Sequence, residues 1–153
     1  LVVWAIIKKL KSRIKKIIEE VLDPRQEFEK KKNEILAMEY LRSGLFKKHY
    51  FAASEMFKRF ISRAYSIDLE DKTTSEMASI LSEYARGSIF PLSLVDQIIK
   101  IFEEMDIVKY TDKAPDLDSA NSLFPRITII VSGAWQMSPV REELEQKKKE
   151  ANR

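Results

Sequence analysis

Residues 46–65 read FKKHYFAASEMFKRFISRAY, and this stretch decides the fold of the chain. Its apolar residues recur three and four positions apart, and most of the charged residues fall between them. This spacing places the apolar residues on one face of an α-helix, because 3.6 residues complete each turn. The pattern predicts a central core helix whose buried face is formed by Phe46, His49, Tyr50, Ala53, Phe57, Phe60, Ile61, Ala64 and Tyr65.

Further helices are predicted on both sides of this stretch. Asp23-Pro24 separates a first, basic helix from a second helix that ends at Ser43-Gly44, because proline fits the first turn of a helix and breaks its interior. Residues 73–76 (TTSE) form a capping box, which predicts a fourth helix that Gly87 closes. A second capping box at residues 93–96 (SLVD) predicts a fifth helix.

The last third of the chain mixes helix signals with helix breakers. Residues 106–110 (DIVKY) are predicted to leave the fifth helix, and a last helix is expected from about Asp118, with a kink or a break at Pro125. Residues 127–131 (ITIIV) suit a short strand by propensity, but they have no convincing strand to pair with, so helix is preferred. Residues 139–153 have little apolar content and are expected to be frayed or disordered.

The first residues carry a membrane signal. Residues 1–7 (LVVWAII) are apolar, and a basic cluster follows at once. Seven residues are too few to cross a bilayer, so the run is expected to end a span that begins upstream. Alternatives are an amphipathic helix docked on the core and a signal peptide. The membrane interpretation gives a basic juxtamembrane helix that contacts anionic lipid head groups through Trp4, Lys8, Lys9, Lys11, Arg13, Lys15 and Lys16.

The composition argues against an enzyme. The chain of 153 residues has no cysteine, one histidine (His49) and three glycines, so thiolate sites and glycine-rich phosphate loops are excluded. His49 is expected at the edge of the core, on the apolar side of its helix. No catalytic residue, cofactor or metal is predicted.

Charge is distributed unevenly along the chain. Residues 8–65 carry a net charge of +8 and residues 66–124 a net charge of −7. The acidic part lacks the ligand spacing of a calcium loop, so a surface that contacts other proteins is preferred over a cation site. Its candidate residues are Glu103, Glu104, Asp106, Asp112, Asp116 and Asp118. The basic part leaves a DNA-binding helical module as the alternative function.

Several short motifs over residues 28–124 carry a family resemblance. They are residues 57–61 (FKRFI) with Tyr65, 73–77 (TTSEM), 106–110 (DIVKY) and 114–115 (AP). Together they resemble the C-terminal cytoplasmic region of BatD-like proteins, bacterial single-span membrane proteins of the Bat or aerotolerance group. Met77 stands where Ile or Leu is usual, Tyr110 where Phe is common, and residues 129–135 depart from the usual closing helix.

The resemblance implies an inner-membrane protein whose neighbours include a MoxR-type AAA+ ATPase and von Willebrand factor A-domain proteins. It supplies no catalytic residues. In the DIVKY motif we expect Ile107 or Val108 and Tyr110 to be buried, with Asp106 near Lys109.

These observations combine into one prediction. The fold class is all-α, an antiparallel bundle of four to five helices. The end of a membrane span and a basic juxtamembrane helix (residues 1–23) precede the bundle (24–135), and a charged flexible tail (136–153) follows it. The predicted function is a non-catalytic interaction domain on the cytoplasmic side of the bacterial inner membrane.

Overall fold

In the computed structural model, the chain is all-helical, which confirms the predicted fold class. The structure describes the backbone of residues 1–153 and all side chains except those of residues 15 and 17–21. The backbone forms seven helices, so the predicted count was wrong: six follow the basic helix, where four or five were expected. They are α1 (Val2–Val21), α2 (Pro24–Ala37), α3 (Phe46–Tyr65), α4 (Thr74–Arg86), α5 (Leu92–Tyr110), α6 (Leu117–Gln136) and α7 (Pro139–Ala151).

The helix α3 lies at the centre of the bundle, as its apolar periodicity predicts. It packs against α2, α5, α6 and α7, and α4 reaches the core through α5. Aromatic rings fill these contacts: Phe57 stacks on Phe102 of α5 at 5.1 Å between ring centroids, and Phe28 of α2 meets Phe60 edge-on at 5.8 Å. Burying such rings is the main stabilising contribution to the bundle.

A buried carboxylate fastens α2 to α3. Glu27 is buried and accepts hydrogen bonds from Arg59 Nε and Arg63 Nη1, which lie one turn apart on α3. Arg63 also donates through Nη2 to the Leu22 carbonyl oxygen at 2.9 Å, so the same side chain holds the residues before α2. A buried charge of this kind persists because it is both paired and hydrogen-bonded.

Two helices start as the sequence predicts and one does not. Thr73 caps α4 in a capping box with Glu76, and Gly87 is its C-cap. Pro24 occupies the first turn of α2, although α2 ends at Ala37 and not at Ser43-Gly44. The box predicted at residues 93–96 was wrong, because α5 begins at Leu92 and has no side-chain cap.

Residues 106–110 stay in α5, contrary to the prediction, because neighbouring helices bind their polar groups. Asp106 accepts a hydrogen bond from Thr74 Oγ1 of α4, and Lys109 donates to Ser54 Oγ of α3 at 3.1 Å. Downstream, α6 runs unbroken from Leu117 to Gln136 with Pro125 inside it, so the predicted break is absent. Residues 127–131 are helical, as preferred.

The charged end of the chain is helical and not a frayed tail, which corrects the prediction for residues 139–153. Ser138 starts α7: its Oγ accepts a hydrogen bond from Arg141 N at 3.2 Å and donates to the Ala64 carbonyl oxygen at 2.6 Å. Leu144 packs partly against the core. One buried cap and one apolar contact therefore order a segment whose composition alone predicts disorder.

Candidate functional site

The first helix presents an apolar face to solvent. Its side chains from Leu1 to Ile14 are exposed, so the alternative in which this helix docks on the core does not hold for these residues. Val3, Ile7, Leu10 and Ile14 lie four, three and four residues apart and are between 46% and 69% exposed. This spacing aligns them in one stripe. Among the described residues, no helix combines the length and the apolar content needed to cross a membrane.

Basic side chains surround this apolar stripe. At 3.6 residues per turn, Lys11 and Arg13 flank the stripe on its two sides, while Lys8, Lys9 and Lys16 fall on the opposite face. Lys8 Nζ lies 5.1 Å from the centre of the Trp4 ring, in a cation–π contact. These five basic side chains are all exposed, and the side chain of Lys15, the remaining basic residue of the predicted lipid contact, lies outside the described part of the structure.

Three of the six carboxylates predicted to face a partner are engaged inside the domain. Glu104 makes a bidentate pair with Arg126 of α6 at 2.7 and 2.6 Å. Asp106 lies 3.4 Å from Lys109 Nζ, as the sequence suggested, and Asp116 caps α6 by accepting from Ser119 N at 2.8 Å. Hydrogen bonds from the Ser119 backbone and hydroxyl lower the pKa of Asp116.

The remaining three predicted residues, Glu103, Asp112 and Asp118, are exposed. Within the part of the chain that the structure describes, no group of three or more potential ligands is arranged to hold a metal ion. The predicted acidic surface therefore consists of two groups. Glu104, Asp106 and Asp116 bind other residues of the domain, and the other three carboxylates are exposed.

An exposed aromatic pair lies where the sequence predicts a buried residue. Tyr110 is 67% exposed, contrary to the expectation, and Ile107 is also exposed, while Val108 is buried. Tyr110 meets Phe51 of α3 edge-on at 5.7 Å. The buried Lys109 lies beside both rings, with its Nζ 5.0 Å from the Phe51 centroid and 4.9 Å from that of Tyr110. Sequence reasoning missed this pair, although Phe51 follows two lysines on the polar side of α3.

Two buried polar side chains lie on the opposite side of α3. His49 is buried against Phe124, on the apolar side of its helix as expected, and burial lowers its pKa, partly offset by the Ala120 backbone. Tyr50 is fully buried, and its Oη has no hydrogen-bond partner among the described atoms. Desolvation, with a smaller contribution from Glu104, raises the pKa of Tyr50 to about 12. Burial therefore keeps both side chains uncharged at neutral pH.

Comparison with known proteins found no relative of this chain. No protein family model, no curated protein and no solved structure matches the chain.

Proposed function

We propose that the protein is a non-catalytic, membrane-attached interaction domain: α1 binds an anionic membrane surface and the bundle of α2–α7 contacts other proteins. The observation that carries this proposal is the apolar stripe of α1, which is exposed from Val3 to Ile14. Apolar surface left in water favours association, by about 25 cal/mol for each Å² buried. Because the side chains from Leu1 to Ile14 are exposed, this part of α1 is available for a second surface.

The charges of α1 support a membrane as that second surface. An interfacial helix carries its basic residues around and opposite an apolar stripe, which is the arrangement of α1. Each basic residue near an anionic bilayer contributes about 1 kcal/mol of attraction. Trp4 is a typical residue of the interface between lipid and water. An excess of lysine and arginine beside an apolar run favours the cytoplasmic side of the bacterial inner membrane, and this location is part of the proposal.

The family resemblance and the exposed aromatic pair bear on the partner of the bundle. The resemblance to BatD-like proteins suggests a MoxR-type AAA+ ATPase or a von Willebrand factor A-domain protein, and both remain predictions. The exposed aromatic pair, and not the acidic residues alone, supports an interaction role, because aromatic side chains dominate binding energy at protein interfaces.

Sedimentation with lipid vesicles tests the membrane role. Vesicles of phosphatidylcholine containing about one-third phosphatidylglycerol should bind the protein, and pure phosphatidylcholine vesicles should bind it much more weakly. The double substitution Lys9→Gln/Arg13→Gln should weaken binding about 30-fold, which corresponds to about 2 kcal/mol lost from two basic residues. The matched control Lys148→Gln/Lys149→Gln removes the same charge from α7 and should have little effect. Equal binding of all three proteins would reject the role of α1.

The apolar stripe separates this proposal from DNA binding. Ile7→Ser/Ile14→Ser leaves every charge of α1 in place but removes two exposed apolar side chains. Vesicle binding should fall, because the stripe inserts between lipid head groups. A DNA-binding helix would keep its affinity for DNA in this variant, because phosphate contacts depend on charge. Salt-sensitive binding of DNA that survives the double substitution, with no binding of vesicles, would favour the DNA alternative.

A further inference from the structure

Two concave surfaces meet at the α5–α6 turn and form one groove. The first, of about 410 Å³, lies between the start of α3 and the end of α5, and its lining includes Leu45, Val108 and Ala114. The second, of about 320 Å³, lies beside Pro115. Val108, Lys113 and Ala114 line both, so the two are direct neighbours. We call the pair the α3–α5 groove.

The lining of the groove is apolar and basic. Leu45 is 41% exposed, and Ile107 is 48% exposed in the second part. The first part is lined by three lysines and one aspartate, a net charge of +2, contributed by Lys47, Lys48, Lys113 and Asp112. The second part adds one carboxylate, that of Glu104, which is paired with Arg126. A groove of this composition is complementary to a chain segment that carries carboxylates around an apolar side chain.

The aromatic pair lies beside the lysines of the groove. Lys47 and Lys48 line the groove and lie one helical turn before Phe51, which Tyr110 meets edge-on. Lys109, held by Ser54 Oγ at 3.1 Å and by Asp106 at 3.4 Å, fixes both rings through its cation–π contacts. Aromatic rings that are already ordered lose little entropy when a partner covers them.

A buried polar group without a partner also points to a ligand. Tyr50 lines the second part of the groove, and its Oη is buried with no hydrogen-bond partner among the described atoms. Such a group carries an unfavourable desolvation free energy until a donor or an acceptor reaches it. Because Tyr50 is fully buried, the backbone of a bound segment reaches its Oη only where the groove widens on binding.

We propose that the α3–α5 groove binds an acidic segment of a partner protein, with an aliphatic or aromatic side chain of that segment in the groove and its carboxylates at Lys47, Lys48 and Lys113. The inference rests on the proposed role of α2–α7 as an interaction domain. The charge of this groove is opposite to that of the contact surface predicted from the sequence. The groove is basic, and the predicted surface is acidic.

The test uses the full chain and a fluorescein-labelled synthetic peptide in which glutamates flank a central Leu-Trp pair. Fluorescence anisotropy should show saturable binding, and backbone amide NMR signals of Leu45, Val108 and Ala114 should shift on addition of the peptide. Lys47→Glu/Lys113→Glu should weaken binding about tenfold or more. Tyr110→Ser, at an exposed position, should weaken binding several-fold while the circular dichroism spectrum stays unchanged.

Two controls locate the site. Lys148→Glu/Lys149→Glu makes the same charge change on α7 and should leave peptide binding unchanged. Lys9→Gln/Arg13→Gln should also leave it unchanged, which distinguishes the groove from the basic helix α1. The proposal is overturned by the absence of saturable binding, by wild-type affinity of Lys47→Glu/Lys113→Glu, or by binding that is lost only when α1 is substituted. Because peptide binding is measured without vesicles, failure here leaves the vesicle result intact, and the reverse also holds.

Discussion

Replacing Glu27 by alanine removes the carboxylate that two arginines of α3 share. Truncating one partner of a fully buried ion pair costs about 3–5 kcal/mol, because the other charge is left unpaired in the interior. Here the Glu27 side chain is 5% exposed, whereas those of Arg59 and Arg63 are 38% and 25% exposed. Water therefore stabilises the arginines after the substitution, and the penalty is smaller than for a buried cation.

Remaining hydrogen bonds reduce the penalty further. Arg59 keeps its contact with Glu70 at 3.1 Å, and Arg63 keeps its bond to the Leu22 carbonyl oxygen. We expect Glu27→Ala to lower the free energy of unfolding by about 2 kcal/mol, the scale of losing hydrogen bonds to a charged group. For a chain of this size the unfolding midpoint should fall by about 4–8 °C.

Urea denaturation followed by circular dichroism measures this loss. The control is Glu34→Ala on the same helix, whose carboxylate lies 3.7 Å from Lys31 and is half-exposed, so its loss should stay below about 0.5 kcal/mol. A double-mutant cycle of Glu27→Ala with Arg63→Met should show coupling of about 1 kcal/mol or more. If Glu27→Ala matches Glu34→Ala, or if the cycle is additive, the reasoning about the shared carboxylate is wrong.

Two further predictions concern helix caps. Ser138→Ala should lower the free energy of unfolding by about 1–2 kcal/mol, because it removes both the cap of α7 and the hydrogen bond to the Ala64 carbonyl oxygen. Backbone amides at the start of α7 should then exchange faster with deuterium. Unchanged exchange would contradict the role of the cap. Acid should also weaken the fold. Hydrogen bonds from Thr73 lower the pKa of Glu76 from 4.5, and those from Ser119 lower the pKa of Asp116 from 3.8. A carboxylate with a lowered pKa stabilises the folded state above its ordinary pKa, and this contribution is lost as the pH falls through the lowered value. As the pH is lowered through the titration of these carboxylates, the unfolding midpoint of Asp116→Asn should fall less steeply than that of the unsubstituted protein. Identical slopes for the two proteins would exclude a contribution from Asp116.

Features that depend on neighbours in the chain were predictable from the sequence. The apolar spacing of α3 and the Thr73–Glu76 capping box involve residues within four positions of each other, and both appear in the structure. The helical state of residues 127–131 followed from the lack of a partner strand. Each of these inferences needs only helical geometry and local hydrogen bonds.

Two of the errors share a different cause, which is contact between distant residues. Residues 106–110 stay helical with Thr74 and Ser54 as partners, which lie 32 and 55 residues away from Asp106 and Lys109 respectively. Helix α7 begins at a serine whose second bond reaches Ala64, 74 residues away. The spacing of apolar residues along the sequence does not show which distant residues will meet. Such tertiary contacts override local helix propensity.

The candidate site was predictable in part. The basic and apolar pattern of α1 was read from the sequence, and its side chains are exposed as far as Ile14. The acidic surface was read from charge alone, and charge does not reveal that Glu104 pairs with Arg126 across two helices. The exposed pair of Phe51 and Tyr110 was missed because the two residues lie on different helices, and spacing along one helix does not show which helix faces meet.

The exposure of residues 1–14 has a thermodynamic consequence. Because no side chain from Leu1 to Ile14 is buried, we expect a ligand of this segment to change neither the stability of α2–α7 nor the intrinsic affinity of the groove. Membrane attachment would act through effective concentration: it confines the groove to a thin layer where a membrane-bound partner is also confined. The two binding free energies should therefore add, and the gain from attachment should depend on how densely the partner occupies the membrane.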